Sequence, residues 1–349
     1  MATISVCMIV KNEEAVLARC LDSLQGLYEE LIIVDTGSKD RTREIACRYT
    51  DKVYDFAWTG SFSDARNFSF SKATCEYIYA ADADEVIDEE NRGRFLMLKA
   101  ALLPEVEIVQ MYYGNQLSQN SIYNFDRELR PKLYKRQRNF IWQEPVHEAV
   151  RLQPLVFDSD IVITHLPQGE HASRDLAVFE RMLEKGEEIS DRLRDIYLRE
   201  LYFMGKEHNL EKAHAYLERL CGENAADSDV FQQATALLCK EAALARRHKD
   251  LLKYGLRGAA TKGSSELCVE LGKYFQKEQD FEEAILWYHN AANETESLMS
   301  LKASTSEPLE GMAACYEVLG MEEQVQACKE ALKKGNSSAF RRLTGYSTG

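Results

Sequence analysis

Apolar and polar positions along the chain fall into two regimes that change near residue 170. In the first, short apolar runs alternate with amphipathic stretches. Thr3-Ile-Ser-Val-Cys-Met-Ile-Val10 and Leu31-Ile-Ile-Val34 are of strand length and have no polar face, the pattern of strands covered on both sides. Leu17, Cys20, Leu21 and Leu24 recur between them at helical spacing, and Ile45, Ala46 and Tyr49 do so after the second run. This β-α-β-α order predicts a parallel sheet. Val53–Phe56 reads as a short strand, Phe62–Asn67 leads into a helix carrying Phe70 and Ala73, and Tyr77-Ile-Tyr-Ala-Ala81 is a further buried strand. Ile87–Glu90 supplies the acids that suit a helix N-terminus, continued by Phe95, Leu98 and Leu102. Val106–Tyr113 alternates as an antiparallel strand does, and Lys132–Lys135 and Ile161–His165 are strand-like.

The second regime is helical throughout, rich in Glu, Lys, Ala, Leu and Tyr and broken by short polar turns. Leu271-Gly272-Lys-Tyr-Phe275 followed by Asp280, Ala284, Tyr288 and Ala291 has tetratricopeptide-repeat spacing, in which a small residue lets two helices approach and aromatics fill the gap. Looser copies run from Tyr202 to Leu220, with Ala213 in the small place, and from Ala313 to Leu332; Ala234 to Tyr254 fits poorly. The expected organisation is therefore an α/β domain over 1–170 and an all-α repeat-like domain over 171–349. Stacked helix pairs expose a surface suited to a peptide or to a second copy of the chain.

Composition agrees with two domains: 349 residues, 45% of them hydrophobic, can bury separate cores. A formal charge of −14 and a pI near 5.1 speak against non-specific binding to nucleic acid or anionic membranes. No apolar run reaches bilayer length, and Met1-Ala-Thr-Ile-Ser-Val lacks a secretory pattern, so a cytoplasmic protein is expected. Nine cysteines without a C-x-x-C pair read as reduced thiols.

Candidate chemistry concentrates where the strand at Tyr77 ends. Its apolar run stops in Asp82-Ala-Asp84-Glu85, and the period of two puts Asp82 and Asp84 on one side of the exit. Such a pair suits Mg²⁺ or Mn²⁺, which take one or two carboxylates together with substrate phosphate oxygens, so a diphosphate-bearing ligand is predicted. A solvated acidic turn is the bland alternative for a lone Asp-x-Asp. In open parallel sheets ligands lie beyond the carboxyl ends of the strands, where Asn12, Asp35, Gly37 and Asp82 would converge with Arg66 near the mouth. His165 sits at a strand end, which suits a ligand, although a lone histidine is more often structural.

Val6–Glu14, Val34–Thr42, Ala65-Arg-Asn67 and Asp82-Ala-Asp84 resemble the family 2 glycosyltransferases of the GT-A fold over roughly residues 3–168. The added helices make the chain similar to bacterial peptide or protein glycosyltransferases. The resemblance implies a Rossmann-like GT-A domain with a mostly parallel central sheet, followed by tetratricopeptide-like helices. It implies a UDP-sugar donor with its base near Val10, Asn12 and Glu14 and bonded to Asp35, and the donor site extending over Gly37 and Ala83. Arg66 lies beside base or phosphate. Asp84 binds Mn²⁺ or Mg²⁺ directly, Asp82 contacts ribose or metal, and His165 matches the late histidine that completes the metal site in this fold.

Inversion at the anomeric carbon needs a base opposite the departing diphosphate. Glu148 is the first choice, by the position at which family members carry an acid, and Glu144 the second. Trp142 stacks on sugar or acceptor, or is a core aromatic. The function so implied is metal-dependent inverting transfer of a hexosyl or N-acetylhexosaminyl group to a Ser, Thr or Cys side chain of a peptide or protein. The alternatives are a transferase of cell-surface glycans and a repeat scaffold that has lost turnover.

Overall fold

Every residue of Ile4–Val10 (β1) except Ile9 is buried, which a strand apolar at every position but Ser5 achieves only with layers on both sides. The computed structural model describes residues 1–114, 128–150, 154–166 and 172–333. The chain forms two compact units, Met1–His171 and Ala172–Gly349. The expected division at 170/171 falls among residues 167–171, outside the described ones.

In the first unit Leu17–Leu24 (α1), Glu30–Asp35 (β2), Thr42–Ala46 (α2), Val53–Asp55 (β3), Phe62–Ser71 (α3) and Tyr77–Ala81 (β4) follow β1 in the expected order. Glu85–Val86 (β5), Glu89–Ala101 (α4), Ile108–Gly114 (β6), Glu128–Lys135 (β7), Trp142–Gln143 (β8), Ala149–Val150 (β9) and Val156–His165 (β10) complete it. Eight strands form one sheet in the order β3-β2-β1-β4-β7-β6-β10-β5, and β8 pairs with β9 separately. The pairings β2–β3, β1–β2, β1–β4 and β6–β10 are parallel, and β4–β7, β6–β7 and β5–β10 are antiparallel. The mostly parallel sheet expected from the strand–helix alternation is thus present. Alternate residues of β1 serve opposite layers: Val6 and Met8 join Leu17, Leu21 and Phe95, while Cys7 joins Phe70, Tyr134 and Trp142. Each such buried side chain contributes about 2 kcal/mol of transfer free energy.

The link between β4 and β5 forces the sheet to curl. Across a flat sheet, four strand spacings would separate them, about 19 Å. The four steps from Ala81 to Glu85 span at most about 14 Å. Curling brings β10 back toward β4, and His165 pairs with Glu85. Because β6 and β10 run in the same direction as β4, His165 lies at the same end of the sheet as Asp82.

The second unit comprises Ala172–Glu184 (α5), Asp191–Met204 (α6), Glu207–Glu223 (α7), Asp229–Leu244 (α8), His248–Ala259 (α9), Ser265–Lys277 (α10), Phe281–Asn293 (α11), Ser306–Val318 (α12) and Glu322–Lys333 (α13). Side chains of Ser190, Ser228, Ser264 and Asp280 cap α6, α8, α10 and α11. Neighbouring helices pack in pairs, and α6, α8, α10 and α12 also pack in succession, the layering of a helical repeat. The aromatic of α11 fills the gap as its spacing predicts: a Cβ added at Gly272 or Gly311 would lie 2.7 or 2.4 Å from the Tyr288 ring. The stretch from Ala234 to Tyr254 departs from expectation, since it contributes to a regular pair, α8 and α9. Its close-approach residues, Gly255 and Gly258, lie on the second helix and admit Leu271 and Leu267 of α10. No helix among the described residues is long and apolar enough to cross a membrane. All nine cysteines are free.

Candidate active site

The loops leaving β1 and β2 are stitched together by short polar side chains. Asp35 Oδ1 accepts from the N–H groups of Gly37 (2.9 Å) and Ser38 (2.7 Å), closing a turn in which Gly37 adopts φ +102°. Asn12, itself left-handed at φ 56°, donates its N–H to Ser38 Oγ and accepts from Lys39 N, and Glu14 Oε2 accepts from Arg41 N. Val10 O accepts from Thr36 N. Val10, Asn12, Glu14, Asp35 and Gly37 therefore share one rim, where Asn12 and Glu14 fix the loops against each other. Ala83, between the two aspartates in sequence, is buried.

Two cationic side chains divide the acids at the β4 exit. Arg66, from α3, donates from Nη2 to Asp82 Oδ1 at 2.7 Å and from Nε to Glu148 Oε1. Lys132, from β7, donates from Nζ to Asp82 Oδ2 (3.3 Å), to Ala80 O (3.3 Å) and to Glu85 Oε1. Glu85 Oε2 accepts from Asp82 N at 3.2 Å. Asp84 turns the other way, its Oδ2 2.9 Å from His165 Nε2. The His165 ring lies 5.1 Å from that of Tyr113, over which Arg130 stacks at 4.0 Å.

Burial opposes charge throughout this cluster, and local partners outweigh it at Asp82 and Lys132 but not at Glu85. Arg66 and Lys132 outweigh burial at Asp82 and hold its carboxyl well below the usual carboxylate range. Burial raises Glu85 against the pull of Lys132, with Asp82 and Asp84 repelling its charge. At Lys132 burial favours the neutral amine, but Glu85 and Asp82 prevail and raise its pKa.

The expected metal residues separate on this geometry. Asp84 and His165 converge as a carboxylate–imidazole pair, a donor set that suits Mn²⁺. Both oxygens of Asp82 are already engaged by Arg66 and Lys132. Asp82, Asp84, Glu85 and Glu148 thus gather four carboxyl groups around Arg66 and Lys132, an acid-rich cluster that a divalent cation would suit. Glu148 reaches this network through Arg66. Glu144 stands on left-handed backbone at φ 74° ahead of Pro145. Trp142 is 9% exposed; its ring packs edge-on against Phe70 and Tyr134, and Arg66 lies 5.1 Å from its centroid. Of the two roles expected of Trp142, the core one is the one this packing serves.

Lys132 is the member of this cluster that sequence reading passed over, and the signal was Pro131. A proline within a strand marks an edge or a bulge, and here the register jumps from Val109↔Leu133 to Gln110↔Pro131. Lys132 is the extra residue of that bulge, which aims its side chain under Asp82.

Residues 5–156 match the family model described as Glycosyl transferase family 2. A TPR repeat-containing protein of Synechococcus elongatus is 31% identical over 210 residues, 57% of this chain and 51% of its own length. The SPbeta prophage-derived glycosyltransferase SunS of Bacillus subtilis is 26% identical over 261 residues, 72% of this chain and 61% of its own. The chain thus spans between about half and about three fifths of these curated relatives. A solved structure of glucosyl-3-phosphoglycerate synthase from Mycobacterium tuberculosis, in complex with Mg²⁺ and UDP, is 16% identical over 54% of this chain and 81% of that one, with a TM-score of 0.38.

Proposed function

From the match of residues 5–156 to the glycosyl transferase family 2 model, we propose that this chain transfers a sugar from a UDP-sugar to a side chain of a peptide or protein, with Mn²⁺ or Mg²⁺ bound and with inversion. The observation that carries this reading is the meeting of Asp84 and His165 at the strand ends, beside an Arg66 that already bridges Asp82 and Glu148. Asp84 and His165 would hold the cation. When bound, it offsets the charge of the departing diphosphate. The rim built by Val10, Asn12, Glu14, Asp35 and Gly37 receives the nucleoside, with Asp35 Oδ2 left for the ligand once Oδ1 has closed its turn. Arg66 fixes one oxygen of Glu148, and the other takes the acceptor's proton; Glu144 is the second candidate for that base.

The helical unit supports the acceptor half of the reading. Paired helices whose alternate members pack in succession form an extended surface suited to a peptide, or to a second copy of the chain. The decisive experiment incubates the protein with Mn²⁺ and a panel of nucleotide sugars, first alone and then with candidate peptides, and follows release of nucleotide and sugar addition by mass spectrometry. Slow donor hydrolysis that disappears in Asp84→Ala upholds the donor reading, and absence of turnover with every donor and metal refutes it. Donor hydrolysis without transfer to any peptide removes the acceptor half alone.

A further inference from the structure

Lys132 occupies a place where a lysine is costly. It is 5% exposed, in a strand flanked by β4 and β6, where an unpaired ammonium would give up its hydration without return. Its three N–H donors have three acceptors: Ala80 O, Asp82 Oδ2 and Glu85 Oε1. A bulge in β7, centred on this residue and tolerating Pro131 beside it, aims the side chain there. The consequence falls on the neighbouring acids. Asp82 has Oδ1 on Arg66 and Oδ2 on Lys132, and Glu85 has Oε1 on Lys132 and Oε2 on the Asp82 N–H. All four oxygens are turned inward, while Asp84 faces His165.

We propose that Lys132 is a positioning residue: it draws Asp82 and Glu85 away from the cation, so that Asp84 and His165 alone hold the ion, and hold it weakly until a nucleotide diphosphate adds its oxygens. The proposal deepens the donor reading and rests on it for the identity of the nucleotide. A six-coordinate ion given two protein ligands must fill its remaining positions with water or phosphate. With Lys132 in place, the cation is therefore held firmly only once nucleotide phosphate replaces some of that water. With Lys132 gone, Asp82 Oδ2 and Glu85 Oε1 lose their partner and become available to the ion.

The test is a Mn²⁺ titration by calorimetry or electron paramagnetic resonance, with and without UDP, on the wild type and on Lys132→Met, each checked for folding by circular dichroism. Lys132→Met is expected to bind Mn²⁺ about tenfold more tightly without UDP, as removal of a nearby positive charge dictates. The enhancement of Mn²⁺ binding by UDP should shrink to match. Unchanged affinity in a folded variant overturns the proposal. Should Lys132→Met fail to fold, the comparison is made in Glu85→Gln, where the buried acid no longer needs a cationic partner. There, adding Lys132→Met should still tighten Mn²⁺ several-fold through Asp82 Oδ2, and equal affinities overturn the proposal. Donor hydrolysis by the wild type is scored separately. Metal shifts without hydrolysis leave the role of Lys132 standing and remove the sugar-transfer reading; hydrolysis without the shifts removes only the role of Lys132.

Discussion

Asp84 Oδ2 and His165 Nε2 lie 2.9 Å apart although 81 positions separate them in the chain. Asp84 leaves β4 and His165 ends β10, and the curl of the sheet brings the two together. Asp84→Ala is expected to lower metal-dependent donor turnover by about a hundredfold or more, the order that follows from losing several kcal/mol of charge stabilisation. His165→Ala should cost less, about tenfold, and raise the Mn²⁺ concentration needed for half-maximal rate. Steady-state rates across a Mn²⁺ series check both.

Arg66 joins Asp82 to Glu148, so its removal strands two carboxylates. Arg66→Ala should destabilise the fold by about 3 kcal/mol, the cost of breaking a buried ion pair from one side. Glu148→Gln keeps a carbonyl oxygen for Arg66 and should leave the melting temperature nearly unchanged. It should nevertheless abolish transfer to the acceptor. Thermal melts paired with transfer assays separate the two effects.

Glu30 gives the stability a defined response to acid. Burial resists its charge, but hydrogen bonds from Lys52, Ser5 and Thr74 bring its pKa down to about 2. A folded-state pKa below the unfolded value of about 4.3 contributes stability that is complete above that value. It is lost as the pH falls from there through about 2. Glu30→Gln should flatten this part of the stability–pH curve, measured by urea unfolding between pH 7 and pH 2.

Tyr288 lies against Gly272 and Gly311 with no room for a methyl group on either. Gly272→Ala and Gly311→Ala should each destabilise the helical unit by about 1–3 kcal/mol through overpacking. Hydrogen exchange localises the effect to α10, α11 and α12, and uniform loss of protection across the first unit would refute it.

Local pattern carried much of this in advance. Strand runs without a polar face marked β1, β2 and β4, and the abrupt stop at Asp82-Ala-Asp84 marked the site, because chain direction alone sends those residues to the carboxyl end of the sheet. His165 was legible for the same reason. Strand order was not, since nothing local says that β10 pairs with β6 and closes on β5. Lys132 was hidden because a lysine in a strand reads as solvent-facing, and the bulge that buries it is a property of two strands. The α8 and α9 pair was missed because its small residues sit on the second helix, where Gly255 and Gly258 meet α10.

The short bridge from Ala81 to Glu85 has a further effect on how the protein matures during synthesis. β5 can pair only when β10 has been made, because its partners are Thr164 and His165. A nascent chain with β1 to β4 already assembled still carries Asp84 without its imidazole. A product that ends before Ile161 therefore lacks the Asp84–His165 pair altogether.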